Sequence, residues 1–212
     1  MNVFVVGATG RVGRKVVEGL TQRGYFVYAG ARKVDQLHES QQVKPIFTDL
    51  HAPVEQLAEG LGDAEAVLFV AGSRGQDLLQ TDLHGAVKMA QAAQLKGITR
   101  YIQLSSMFAL NPEKWGEPAL ASLLNYTIAK HYADQWLVKD SALDYTIVQP
   151  GTLTETSGTG KIAVGVSEAG KNSIENVAET LIDLLEAPNT IGHVIAMHDG
   201  EQPIREALQN IK

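Results

Sequence analysis

Met1–Gly13 reads MNVFVVGATGRVG, and how this stretch folds decides the rest of the chain. The run Val3-Phe4-Val5-Val6 is continuous, apolar and β-favouring, the pattern of a strand buried on both faces of a parallel sheet. It ends at Gly7. From Arg11 to Leu20 the apolar residues Val12, Val16, Val17 and Leu20 recur at helical spacing, which places Gly7, Gly10 and Gly13 in a tight strand-to-helix turn. Such a turn presents unpaired backbone N–H groups at the positive end of the helix dipole, and glycine keeps Cβ atoms out of the path of a phosphate. Thr9, Arg11 and Val12 share the turn and are expected to contact the same ligand.

Working outward, a chain of 212 residues is long enough for a substantial core and reads as one domain, a dinucleotide-binding core over 1–150 and a small substrate lobe over 151–212. Net charge is -6 with no basic block, which argues against nucleic acid. No signal-peptide pattern precedes the first strand and no apolar run is long enough to span a bilayer, so a cytoplasmic protein with no membrane partner is expected. The absence of cysteine excludes disulfides, thiolate metal sites and a cysteine nucleophile. The six histidines show no HExxH-type pairing, and no metal is expected.

Gly24 closes the first helix, and Tyr25–Ala29 reads as a second strand ending in Gly30-Ala31-Arg32-Lys33. In a dinucleotide fold an acidic residue about twenty positions beyond the glycines accepts the ribose hydroxyls, whereas arginine there suits a 2′-phosphate. Arg32 holds that position, so NADP(H) is favoured over NAD(H), the alternative. Val43–Phe47 is a third strand followed by Thr48-Asp49-Leu50; Asp49 either faces the adenine end of a cofactor, with Leu50 beside it, or caps the helix over Pro53–Leu61. Ala66–Val70 is a fourth strand, closed by Ala71-Gly72-Ser73, small residues against which a ribose or pyrophosphate fits. A long helix over Gln76–Lys96 takes Leu79, Leu83, Val87, Ala90 and Leu95 as its apolar face.

Arg100–Leu104 is the fifth strand and runs into Ser105-Ser106, followed by an irregular, apolar segment over Met107–Pro118 that either covers a site or packs on the sheet edge. A helix over Leu120–Lys139 carries Tyr126 and Lys130 four residues apart, on one face. Leu143–Val148 is the sixth strand, stopped by Gln149-Pro150-Gly151, and a flexible loop runs to Gly160. Strands at Lys161–Val166 and His193–Met197 and helices at Ile174–Glu186 and from Pro203 complete the chain. Strand and helix alternate throughout, which predicts an α/β fold with a doubly wound parallel sheet. An ammonium at Lys130 favours ionisation of the Tyr126 phenol, so its pKa is expected to move down from about 10 toward neutrality.

The GATGRVG turn, the LSS strand end, YTIAK and the QPG after the next strand resemble the short-chain dehydrogenase/reductase superfamily over essentially the whole chain. The similarity is greatest to its small atypical NAD(P)H-binding, epimerase/dehydratase-like branch, which includes biliverdin/flavin reductase B and redox-sensor relatives. The resemblance implies that Gly7, Gly10 and Gly13 hold the pyrophosphate, with Pro150 among the cofactor contacts. It implies that Tyr126 is the acid/base, that Lys130 binds the nicotinamide ribose and tunes Tyr126, and that Ser106 orients the substrate carbonyl. Gln149 stands where extended members often have arginine, and the C-terminal lobe is short, which argues against a nucleotide-sugar substrate. The expected function is an NADP(H)-dependent oxidoreductase acting on a small carbonyl or hydroxyl compound. The alternatives are an NAD(P)-dependent epimerase/dehydratase and a non-catalytic NADP(H)-binding redox sensor. A monomer or a homodimer paired through the Leu120–Leu137 face is expected.

Overall fold

The computed structural model describes residues 1–118 and 120–212. In chain order its elements are β1 (Asn2–Val6), α1 (Arg11–Gln22), β2 (Phe26–Ala31), β3 (Val43–Phe47), α2 (Val54–Gly60), β4 (Ala66–Phe69), α3 (Ala86–Leu95) and β5 (Arg100–Leu104). They continue with α4 (Leu124–Asp140), β6 (Asp144–Pro150), β7 (Thr152–Thr154), β8 (Lys161–Val164), β9 (Lys171–Ser173), α5 (Ile174–Asp183), β10 (His193–Asp199), β11 (Gln202–Pro203) and α6 (Ile204–Gln209). The main sheet has the order β11-β8-β10-β6-β5-β4-β1-β2-β3. It is parallel from β10 through β3, and β8 joins it antiparallel. Strand order reverses between β1 and β4, the switch point where the carboxyl ends of open α/β sheets bind ligands.

The apolar run read as β1 is central because both its faces are covered. Val3 and Val5 pack with Val16 and Leu20 of α1 and with Val177 and Leu181 of α5 on one side. Phe4 and Val6 pack with Leu57 of α2 and Met89 of α3 on the other. All four strand residues are at most 1% exposed, and burial of side chains this size contributes about 1.5–3 kcal/mol each.

Three local expectations are corrected. The helix over Gln76–Lys96 is instead a π-helical segment, Leu78–Gly85, feeding α3. The i→i+5 pattern shifts the buried face away from the 3.6-residue stripe. Leu79 is 71% exposed while Asp82 is fully buried, and Lys88 is buried with its ammonium donating to the Ala52 carbonyl at 2.8 Å. The loop after Gly151 contains β7, which pairs in parallel with β9 as a separate two-stranded sheet. These strands of three residues each are too short to show a period. Finally, β6 runs through Pro150 rather than stopping at Val148. The pairing with β5 ends at Leu104 and Val148, so the proline sits past that neighbour, where a missing N–H is tolerated.

Candidate functional site

A cavity of about 920 Å³ opens at the carboxyl edge of the sheet over the switch point. Gly7 begins its floor. The residue has φ +89°, and a Cβ there would sit 2.7 Å from the Ala71 Cα. Gly13 is buried beneath the turn, and a Cβ on it would lie 2.1 Å from the Gly7 carbonyl oxygen. Both glycines let α1 close on β1 and β4. Gly10 differs, since a Cβ there would meet only the Gly7 oxygen, at 3.1 Å, and otherwise project into the opening. The first intrahelical acceptor is the Gly10 carbonyl, bonded to Arg14 N at 3.0 Å, which leaves the N–H groups of Arg11, Val12 and Gly13 without helical acceptors. No side chain caps this end and the first turn carries no acidic residue. The turn therefore fits a diphosphate.

At the β2 end, Arg32 and Lys33 are exposed and line the same cavity, with Arg74 opposite on the segment after β4. Arg11 also lines it and pairs with Glu155 at 2.9 Å. Among the described residues Asp49 is the only carboxylate in the lining; it is half-buried and accepts from His51 N at 3.0 Å, so it turns its own loop as well as facing the cavity. Leu50, Ala71, Gly72 and Ser73 also line this side, together with Gln36, Gln76 and Thr81, which no motif in the chain singles out.

Tyr126 and Lys130 project into the other end. The Lys130 ammonium is 5.8 Å from the Tyr126 ring centroid and donates to the Leu104 carbonyl at 3.3 Å. Contrary to expectation, the phenol is held above its ordinary value. Burial raises it, Lys130 lowers it, and the carboxylates of Asp82 and Asp134 raise it again, so the lysine is outweighed.

Both carboxylates escaped sequence reasoning. Asp82 lies on the π-helical segment, its Oδ2 accepting from Ser73 N at 3.1 Å and from the Ser73 hydroxyl. Its Oδ1 has no partner among the described residues. Asp134 is one turn beyond Lys130 and accepts from Gln103 Nε2 at 2.7 Å, Ser105 Oγ at 2.6 Å and Gln149 Nε2 at 3.0 Å. Burial raises its pKa, opposed by these donors and by Lys130. The only signal for it was polarity at an inward position of the helix.

Three expected site residues lie outside the lining. Gly13 is covered by the turn itself. Pro150 is inside the sheet, its carbonyl accepting from Met107 N at 3.1 Å. Ser106 is buried in a turn closed by Ala109 N to its carbonyl at 3.1 Å, just past Leu104, which does line the cavity. Of the serine pair, Ser105 is consumed by Asp134.

A Rossmann sheet whose switch-point crevice joins a glycine turn, a cationic rim and a Tyr-Lys pair defines a dinucleotide-dependent class of protein. Residues 7–188 match the family model described as NAD(P)H-binding, and the chain belongs to that family. It is similar to a solved structure of the oxidoreductase ylbE from Lactococcus lactis, with 44% identity and a TM-score of 0.97, covering 100% of this chain and 96% of that one. A Bacillus halodurans structure named as a candidate NAD-dependent epimerase/dehydratase shares 30% identity with a TM-score of 0.88 over 99% of both chains. The Bacillus subtilis protein named uncharacterized sugar epimerase YhfK is 34% identical over 100% of both chains. Among the described residues no helix is long and apolar enough to cross a membrane.

Proposed function

We propose that this protein is an NADP(H)-dependent oxidoreductase acting on a small carbonyl or hydroxyl compound. The observation that carries the proposal is the placement of Tyr126 and Lys130 in one cavity with the Gly10 turn and Arg32. The N–H groups at the start of α1 and the wall left open at Gly10 would hold the diphosphate, and Arg32, with Lys33 and Arg74, would hold a 2′-phosphate. When bound, the reduced nicotinamide supplies a hydride to the carbonyl carbon. Tyr126 gives its hydroxyl proton to the carbonyl oxygen, and solvent returns it after the product alcohol leaves. Lys130 stabilises the phenolate formed in between.

Because the phenol stays protonated through neutrality, it is set up as an acid. Carbonyl reduction at saturating NADPH is expected to be flat from about pH 7 to 9 and to fall only above the ordinary phenol value of about 10. Alcohol oxidation needs the phenolate and should rise over the same interval. A reduction profile that already declines below pH 8 would assign the proton to another group.

Cofactor choice is tested by calorimetry on Arg32→Ala. Loss of a charged, bidentate contact at this exposed position is expected to weaken NADPH about tenfold or more and to leave NADH nearly unchanged. An unchanged ratio would remove Arg32 as the selector. The names of the two Bacillus relatives favour a second proposal, an epimerase that uses the same residues on a sugar; it requires conversion of a sugar epimer with no net consumption of cofactor.

A further inference from the structure

The two ends of the cavity differ in chemistry. Arg11, Arg32, Lys33 and Asp49 belong to the half built on β1 to β3, and Arg74 follows β4 at the boundary. On the β5–β7 side the lining is Leu104, Leu123, Tyr126, Lys130 and Leu153. Among the described residues, apart from the acid and the lysine beside it, every side chain lining that side is leucine. Leu123 stands one turn before Tyr126 and is 46% exposed, an apolar lip left uncovered by the chain itself.

The segment above this end is filled by its own side chains. Met107, Phe108 and Leu120 form a buried cluster with Val166 and Ala196. Phe108 is fixed in the left-handed region at φ +54°, which persists only where surroundings enforce it. The Lys114 ammonium lies 4.2 Å from the Phe108 ring centroid and also donates to the Ser167 carbonyl, and Trp115 Nε1 donates to the Phe108 carbonyl at 3.2 Å. These contacts tie the segment to β10 and to the residues just after β8, outside the cavity lining.

From this we infer that the substrate is a compact, uncharged carbonyl compound with apolar flanks, and not a sugar or nucleotide-sugar. A polyhydroxylated substrate entering here would trade water for leucine at each hydroxyl, leaving those groups unpaired, and a second diphosphate would find no cation other than Lys130 among the described residues of that side. An aliphatic or aromatic flank loses nothing and gains contact with Leu123 and Leu153. This inference rests on the oxidoreductase proposal, and the experiment separates the two.

NADPH oxidation is followed with propanal, hexanal and benzaldehyde against glyceraldehyde and D-glucuronate, and UDP-glucose is monitored by NMR for epimerisation. The expected kcat/KM rises about fourfold for each methylene from propanal until the wall is filled, and exceeds that for glyceraldehyde by at least tenfold with hexanal. Leu123→Asp should cut the hexanal value about tenfold and leave NADPH affinity unchanged. Preference for glyceraldehyde or glucuronate, or conversion of UDP-glucose, overturns the inference. If no aldehyde is reduced, the NADP⁺-loaded protein is titrated with benzyl alcohol and with glucose. Benzyl alcohol binding that Leu123→Asp abolishes sustains the apolar site and discards the oxidoreductase proposal instead; binding of glucose, or of neither, overturns the inference.

Discussion

Tyr126→Phe is expected to lower turnover by about 10²-fold or more while NADPH affinity and thermal stability stay at wild-type values. The substitution removes one hydroxyl from a half-buried ring and keeps the ring's contacts, so only proton transfer is lost. Lys130→Ala separates the remaining roles. Its ammonium is the one nearby influence that lowers the Tyr126 phenol, and its removal leaves burial, Asp82 and Asp134 to raise it further. Turnover should fall, and cofactor affinity should fall with it, because the same ammonium faces the cavity. Steady-state kinetics beside calorimetry on both variants checks the pair. Wild-type turnover in Tyr126→Phe across the pH range would remove the phenol as the acid.

The second large effect is at Gly10. Gly10→Val should reduce NADPH binding by more than about 10²-fold in a protein that still folds, since a Cβ there meets only the Gly7 oxygen, at 3.1 Å, and the side chain would take up space left for a diphosphate. Gly13→Val tests the opposite case. Its Cβ would lie 2.1 Å from the Gly7 oxygen and 2.9 Å from the Ala8 Cα, so the turn itself must move and the melting temperature should drop steeply or the protein fail to fold. Calorimetry with thermal denaturation distinguishes them. A Gly10→Val protein that melts like Gly13→Val would mean that this glycine, too, serves packing.

The contrast between these glycines marks how far the sequence could be read. Spacing placed all three in one turn, and the alternation of strand and helix along the chain was enough to predict a doubly wound sheet. Nothing in the pattern Gly7, Gly10, Gly13 says which faces ligand, because that depends on how closely Ala71, just past β4, approaches Gly7 and on how Gly7 and Ala8 cover Gly13. Tyr126 and Lys130 were legible because α4 is regular there and four residues make one turn. Asp82 was not, because the π-helical turns rotate it from the expected polar side into the interior. The same rotation put Leu79 outside. As neighbours at a strand end Ser105 and Ser106 differ in nothing but their order; the fold separates them by giving Ser105 to Asp134, a residue 29 positions away in the helix that follows. The direction of the Tyr126 shift was misjudged for a related reason. Lysine at i+4 is visible in a sequence, whereas burial and two carboxylates brought in by tertiary packing are not.

Calorimetric titration of the purified protein with NADPH and, separately, with NADH tests most directly the claim that the switch-point cavity is a dinucleotide site with a 2′-phosphate pocket. The expected result is one saturable site per chain, with NADPH bound about tenfold or more tightly than NADH. A folded protein that binds neither dinucleotide, or that binds NADH more tightly than NADPH, would contradict it.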